Sequence, residues 1–257
     1  VSAGNTGALV AISRYVLKTL LGVDRPALVA SVPHVCGYSY MLDLGANVEC
    51  DSENLYQFAL MGSALAKVLG GMESPRVALL NIGSEEIKGN EDIRLANASL
   101  KGSEFINYVG YVEGDDIYKG LTDVVVTNGF SGNIALKTSE GVARYMMQLV
   151  RDAFNQNIFT RLIGLLALPV VEKLRKQYDP DLNNGGVLLG VQGIVVKSHG
   201  KSSQVAFSQA IESAYVLSKN NLLEKIKHGI NIKMNIYMYF LVKFSIKEII
   251  LIYNSEK

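Results

Sequence analysis

Asp123-Val124-Val125-Val126-Thr127-Asn128-Gly129-Phe130-Ser131-Gly132-Asn133 decides the fold. Three consecutive valines between polar residues read as a short strand buried on both faces. The glycine-rich step after it turns the chain, and residues from about 133 to 154 read as a long helix. Strand, tight turn and helix form the repeating unit of a layered α/β fold.

The same alternation extends in both directions. Residues 6–20 read as a helix with Leu9, Ile12, Val16 and Leu20 on one face, and 27–32 as a buried strand. Residues 39–44 form another strand ending in the turn Gly45-Ala46-Asn47. Ser52 can cap a helix through residue 69, with Leu55, Phe58, Ala59, Gly62, Leu65 and Ala66 facing inward. A strand over 76–82, a short helix over 91–100 and an alternating, edge-type strand over 107–112 follow. After the long helix come two helical pieces, 158–168 and 169–178, strand-like stretches at 187–189 and 194–197, and a helix over 203–219. No repeat or linker divides the chain: residues 1–228 read as one domain. Residues 229–257, rich in Ile, Lys, Asn and Tyr, form an atypical tail with no assigned function.

Composition narrows the function. The 257 residues carry 25 Lys+Arg against 24 Asp+Glu, a net charge of +1, which argues against broad nucleic-acid binding. Hydrophobic residues make up 49% and charged ones 19%, enough to build a core. Cys36 and Cys50 read as reduced cytosolic thiols. The two Cys and three His lack ligand spacing, so no metal site is expected. Neither a phosphate-loop motif nor a dinucleotide-binding glycine fingerprint is present. The chain opens Val1-Ser2-Ala3-Gly4-Asn5-Thr6-Gly7, without a basic-then-apolar leader, and reads like the middle of a protein. No window is long and uncharged enough to span a bilayer.

Three segments share one design, a Gly-Asn step at a helix start: Ser2-Ala3-Gly4-Asn5-Thr6-Gly7, Ile87-Lys88-Gly89-Asn90 and Asn128-Gly129-Phe130-Ser131-Gly132-Asn133. Glycine lets successive N–H groups point one way, and such a nest at a helix N-terminus binds anions. Each alone is also ordinary turn chemistry; three together point to a phosphate-class ligand. Lys88 can neutralise phosphate or an oxyanion there, or simply pair with Glu85 in solvent. His34 and Cys36 fall on one face near a strand end and read as core or loop residues. His199 precedes the last helix and suits either a ligand contact or a backbone bond. Leu162, Leu165 and Leu166 with Arg161, Lys173 and Arg175 form a basic, amphipathic stretch. It suits an anionic membrane or acidic partner, and equally a subunit interface or core helix pair.

The motifs together resemble a known family. Ser2-Ala3-Gly4-Asn5-Thr6-Gly7-Ala8, Leu42-Asp43-Leu44-Gly45-Ala46-Asn47, Asn81-Ile82-Gly83 with Glu85-Glu86-Ile87-Lys88-Gly89-Asn90, Asn128 to Asn133, and Lys197-Ser198-His199-Gly200 resemble PlsX, the bacterial phosphate acyltransferases. The likeness runs from Val1 to about Lys227. It implies a three-layer α/β/α Rossmann-like sheet of the phosphate acetyltransferase and isocitrate dehydrogenase-like type. It also implies a cytoplasmic homodimer in phospholipid synthesis that touches the membrane peripherally. The implied reaction joins acyl-ACP and inorganic phosphate into acyl phosphate and free ACP, for use by a glycerol-3-phosphate acyltransferase. No cofactor is implied. The family's opening strand and Asp/Gly-rich motif precede the first loop and are expected to be missing here. Asn128 stands where the family usually has Asp.

A thioester is an activated acyl donor and phosphate a ready nucleophile, so positioned donors suffice without a covalent intermediate. Lys88 and Asn133 are the expected catalytic residues. Gly4, Asn5, Thr6, Gly7, Asn90, Gly132 and His199 are expected to bind phosphate or substrate. A coenzyme A-dependent phosphate acetyl- or butyryltransferase, or a non-catalytic module docking on ACP or membrane, are the rival readings.

Overall fold

The structure is a computed structural model that describes residues 1–177, 185–200 and 202–230. Its centre is the valine strand. β5 (Val124–Val126) lies between β3 (Arg76–Leu80) and β2 (Gly37–Leu42), parallel to both. All three valines are fully buried. Val124 and Val126 face one hydrophobic layer and Val125 the other, as strand alternation requires.

The sheet has seven strands in the order β4-β3-β5-β2-β1-β6-β7. β4 (Asn107–Val112) closes the parallel half as its edge, as the alternation predicted. On the other side β1 (Ala27–His34), β6 (Gly186–Leu189) and β7 (Val195–Lys197) form an antiparallel wing.

Helices cover both faces, which makes the expected three layers. One face carries α2 (Ser52–Leu69), α3 (Glu91–Lys101), α6 (Gln204–Lys219) and a closing helix at 222–230. α2 is buried nearly all round, and its predicted inward residues are all buried. At Gly62 it presses onto the sheet so closely that a Cβ would lie 2.7 Å from Val124. The other face carries α1 (Thr6–Leu17) and α4 (Gly129–Phe154). Leu9, Val10 and Leu17 of α1 and Ala135 and Leu136 of α4 join separate apolar clusters, and Ala46 belongs to both.

Four expectations are corrected. α1 buries Ser13 and packs through Leu9, Val10 and Leu17, while Ile12 and Val16 face solvent. Its apolar residues are spread around the helix, so their period does not select a face. The helix also stops at Leu17, with Leu20 buried beyond it. α5 (Ile158–Gln177) runs through Pro169 as one helix. The carbonyl that loses its donor belongs to Leu165, at 63% exposure, where water can serve it. His34 is buried and Cys36 exposed, because the chain turns between them and His34 Nδ1 accepts from the Cys36 N–H at 3.1 Å. The tail beyond residue 230, and Tyr178 of the predicted second helical piece, lie outside the described residues.

Candidate active site

Three of the motifs leave the carboxyl ends of adjacent parallel strands, the edge where α/β sheets bind ligands. Residues 43–47 follow β2, 81–90 follow β3 and 127–133 follow β5. The first and last interlock. Asp43 N donates to Thr127 O at 2.9 Å, Thr127 N to Leu42 O at 2.7 Å, and Gly129 N to Asn47 O at 2.8 Å.

Asp43 organises this corner. Its fully buried carboxylate accepts from the N–H groups of Leu28 at 2.9 Å, Ala46 at 3.1 Å and Asn47 at 2.7 Å, and from Asn47 Nδ2 at 2.9 Å. Burial pushes its pKa up and these four bonds pull against that shift.

Two glycines of α4 are required by the close approach. A Cβ on Gly132 would lie 2.0 Å from Asp43 O, and one on Gly129 would lie 2.3 Å from Asn47 O. Both obstacles are backbone, so Gly132→Ala is expected to destabilise the fold by about 3 kcal/mol, lowering the urea unfolding midpoint. A midpoint equal to that of the parent would show that the corner yields freely.

Asn133 stands in the first turns of α4 directly over Gly45, whose φ is +106°. A Cβ there would sit 3.5 Å from the Asn133 side chain. The capping residue is Asn128, whose Oδ1 accepts from Ser131 N at 2.8 Å. Asn5 and Asn90 cap α1 and α3 likewise, accepting from Ala8 at 3.1 Å and Ile93 at 2.9 Å. The Gly-Asn steps at Asn5 and Asn90 are thus real helix starts whose Asn oxygens are already engaged, but the step at Asn133 is corrected: α4 begins at Gly129, four residues before the expected start, so Gly132-Asn133 lies inside the helix and Asn128 is its cap.

Charge separates them. The first turns of α1 and α4 hold no acid, whereas α3 begins Glu91-Asp92. The positive end of α1 carries no acid of its own and that of α3 is neutralised by its own carboxylates, whereas the start of α4 at Gly129 lies against the buried Asp43 carboxylate. At the third corner the cation is Lys88 itself. It is exposed, and no ion pair holds it among the described residues, although the Glu85 carboxylate and the Lys88 stem both lie against Gly83; Glu86 pairs with Lys101.

The remaining predicted residues lie elsewhere. β7 runs against β6 and so against β2 and β5, and its exit, Ser198-His199-Gly200, points away from the rim. Ser2 bridges Lys197 in parallel, placing Gly4, Asn5, Thr6 and Gly7 beside that exit. Ala3 and His199 line one cleft with Ser203 and Phe207. The structure therefore makes two groups: Lys88, Asn90, Gly132 and Asn133 on the rim, and Gly4 to Gly7 with His199 on the antiparallel wing.

Lys197 stands between α1 and α4 and was given no role by the sequence reading. Val196 enters the main core, so alternation turns Lys197 to the face that Val195 shares with α1. Burial and the nearby Lys137 charge hold its pKa below the ordinary lysine value, opposed by Glu140. Strand alternation at residues 195–197 was the available signal.

The amphipathic stretch lies on α5, which pairs with α4. Leu162, Leu165 and Leu166 are 56%, 63% and 83% exposed, and Arg161 and Lys173 are exposed too. These side chains are not part of this chain's core, which removes the core-helix-pair reading. The Arg175 side chain lies outside the described residues.

Comparison with known proteins agrees with this architecture. A phosphate acyltransferase of Pseudomonas savastanoi pv. phaseolicola is 53% identical over 227 residues, covering 88% of this chain and 66% of that protein. One from Alkalilimnicola ehrlichii is 58% identical over 214 residues, covering 83% and 62%. The chain thus spans somewhat less than two thirds of the length of these curated relatives. Among solved structures, a phosphotransacetylase from Streptococcus pyogenes matches with a TM-score of 0.58 at 15% identity, over 87% of this chain and 62% of that one. The EutD phosphotransacetylase from Staphylococcus aureus matches at 0.50 and 21%, over 83% and 58%. These likenesses show the fold. A family model described as "Fatty acid synthesis protein" matches residues 1–225, and with it the chain belongs to the PlsX family.

Proposed function

We propose that the protein transfers a fatty acyl group from acyl-ACP to inorganic phosphate. The observation that carries this is the rim itself: Lys88, which no ion pair holds among the described residues, the Asn133 carboxamide and the start of α4 lie on adjacent strand ends. It is supported by identities above 50% to proteins named phosphate acyltransferase.

A phosphate oxygen attacks the thioester carbonyl, the C–S bond breaks, and the thiolate leaves and takes up a proton. The new acyl–oxygen–phosphorus linkage is the acyl phosphate. Lys88 orients phosphate or stabilises the charge that develops on the oxyanion, and Asn133 directs its amide to the same centre. Gly132 keeps α4 close enough to Asp43 for its first turn to face the ligand, and Asn90 holds the end of the Lys88 loop. Gly4, Asn5, Thr6 and Gly7, with His199, form a separate group on the wing, where the α1 start is free of acid, and any substrate contact they make lies away from the reacting centre on the rim.

The protein works in the cytoplasm as a homodimer with peripheral membrane contact, and passes acyl phosphate to a glycerol-3-phosphate acyltransferase. The exposed apolar arm of α4 and α5 supports a surface of that kind. No described helix is long and apolar enough to cross a membrane.

The donor is tested by offering acyl-ACP and acyl-CoA at equal concentration with phosphate. Acyl phosphate formed at least tenfold faster from acyl-ACP is the expected result. Preference for acyl-CoA would favour the coenzyme A-dependent reading, and phosphate binding by neither calorimetry nor turnover would favour a docking module.

A further inference from the structure

Lys88 sits on a loop of ten residues between β3 and α3, and a long exposed side chain on such a loop needs something to fix it. Asn81, the first residue after β3, does so. Its own N–H donates to Val112 O at 2.9 Å, tying it to β4. Its Nδ2 donates to Gly83 O at 3.1 Å and to Lys88 O at 3.2 Å, so one carboxamide holds the start of the loop and the lysine itself. The amide orientation follows from these acceptors, since an oxygen in place of Nδ2 would face two others. Asn81 is only 6% exposed, and its Oδ1 is buried with no donor on it among the described residues.

The loop closes onto this residue from outside as well. Gly89 has φ +90°, and a Cβ there would lie 2.5 Å from Asn81 Oδ1. Only glycine lets the chain fold back over the carboxamide.

We propose that Asn81 is the positioning residue of Lys88: it clamps the loop so that the ammonium is presented to the phosphate site. This rests on the role given to Lys88 above. The test combines Asn81→Asp, Lys88→Ala and their double variant, with kcat, the KM for each substrate, thermal unfolding and amide hydrogen exchange. Asn81→Asp puts a carboxylate oxygen against the two carbonyls without changing side-chain size. It is expected to lower kcat at least tenfold with the acyl-ACP KM unchanged, and to raise exchange selectively across residues 83–90. If Asn81 acts through Lys88, the double variant is no slower than Lys88→Ala alone. Gly89→Ala displaces the same carboxamide from the other side, should Asn81→Asp fail to fold, and is expected to act likewise.

Multiplying losses, unchanged exchange, or a rate within twofold of the parent would overturn the proposal. If Lys88→Ala keeps full activity while Asn81→Asp still loosens the loop, the role of Lys88 fails and the positioning role falls with it. If Lys88→Ala is inactive and the loop stays tight in Asn81→Asp, the clamp alone is refuted.

Discussion

Lys88→Ala is expected to slow acyl phosphate formation by about 10²–10³-fold, the loss typical when one preorganised donor to a developing negative charge is removed. Thermal unfolding should not change, because Lys88 is exposed and no ion pair engages it among the described residues. The separation is informative. A structural lysine would lower both activity and stability, and a solvated one would lower neither. Asn133→Ala should also reduce the rate. Its side chain lies over Gly45 at the start of α4, so its loss removes a donor without opening the core. Near-parental activity with unaltered phosphate affinity in both variants would mean that the reacting centre lies elsewhere.

Asp43→Ala is expected to have the largest effect on stability, about 3 kcal/mol or more. It strands the buried N–H of Leu28, and a buried donor without an acceptor costs roughly 1–3 kcal/mol; it also removes the acceptor of the half-buried N–H groups of Ala46 and Asn47, which water can partly serve. For a chain of this size that corresponds to a fall in melting temperature of roughly 10 °C. Asp43→Asn should also destabilise, because its amide hydrogens would meet N–H donors. Phosphate binding should weaken in step with the loss of the corner, since Asn47 receives Gly129 N and Asp43 bonds Thr127 at the start of α4. A melting temperature within 2 °C of the parent, roughly half a kilocalorie, would show that the corner does not depend on this carboxylate.

Much of this architecture is legible from residues alone, for definite reasons. β5 is three valines between turn signals, and burial on both faces leaves that composition as its trace. α2 shows its buried face because Leu55, Phe58, Ala59, Gly62, Leu65 and Ala66 recur at helical spacing, although the helix is buried on other sides too. The corners show because glycine and asparagine are needed where backbones meet and helices start. Three features were hidden. Leu42-Asp43-Leu44 reads as the end of a strand, and nothing periodic reveals that its Asp is buried under four donors. α1 carries apolar residues around its circumference, so only contact with the β6–β7 wing selects Leu9, Val10 and Leu17. The division of the motifs into a rim group and a wing group follows from β7 running against its neighbours, and strand direction leaves no mark on Lys197-Ser198-His199-Gly200.

The central claim is that glycine corners, a lysine and a carboxamide bring inorganic phosphate to a fatty thioester. It is tested most directly by incubating the protein with acyl-ACP and radiolabelled phosphate, separating acyl phosphate from free phosphate, and titrating ACP thiol in parallel. The account predicts label in an acyl phosphate, one free ACP thiol per labelled product, and no thiol release when phosphate is omitted. Thiol release at the same rate without phosphate, with free fatty acid as the product, would contradict it.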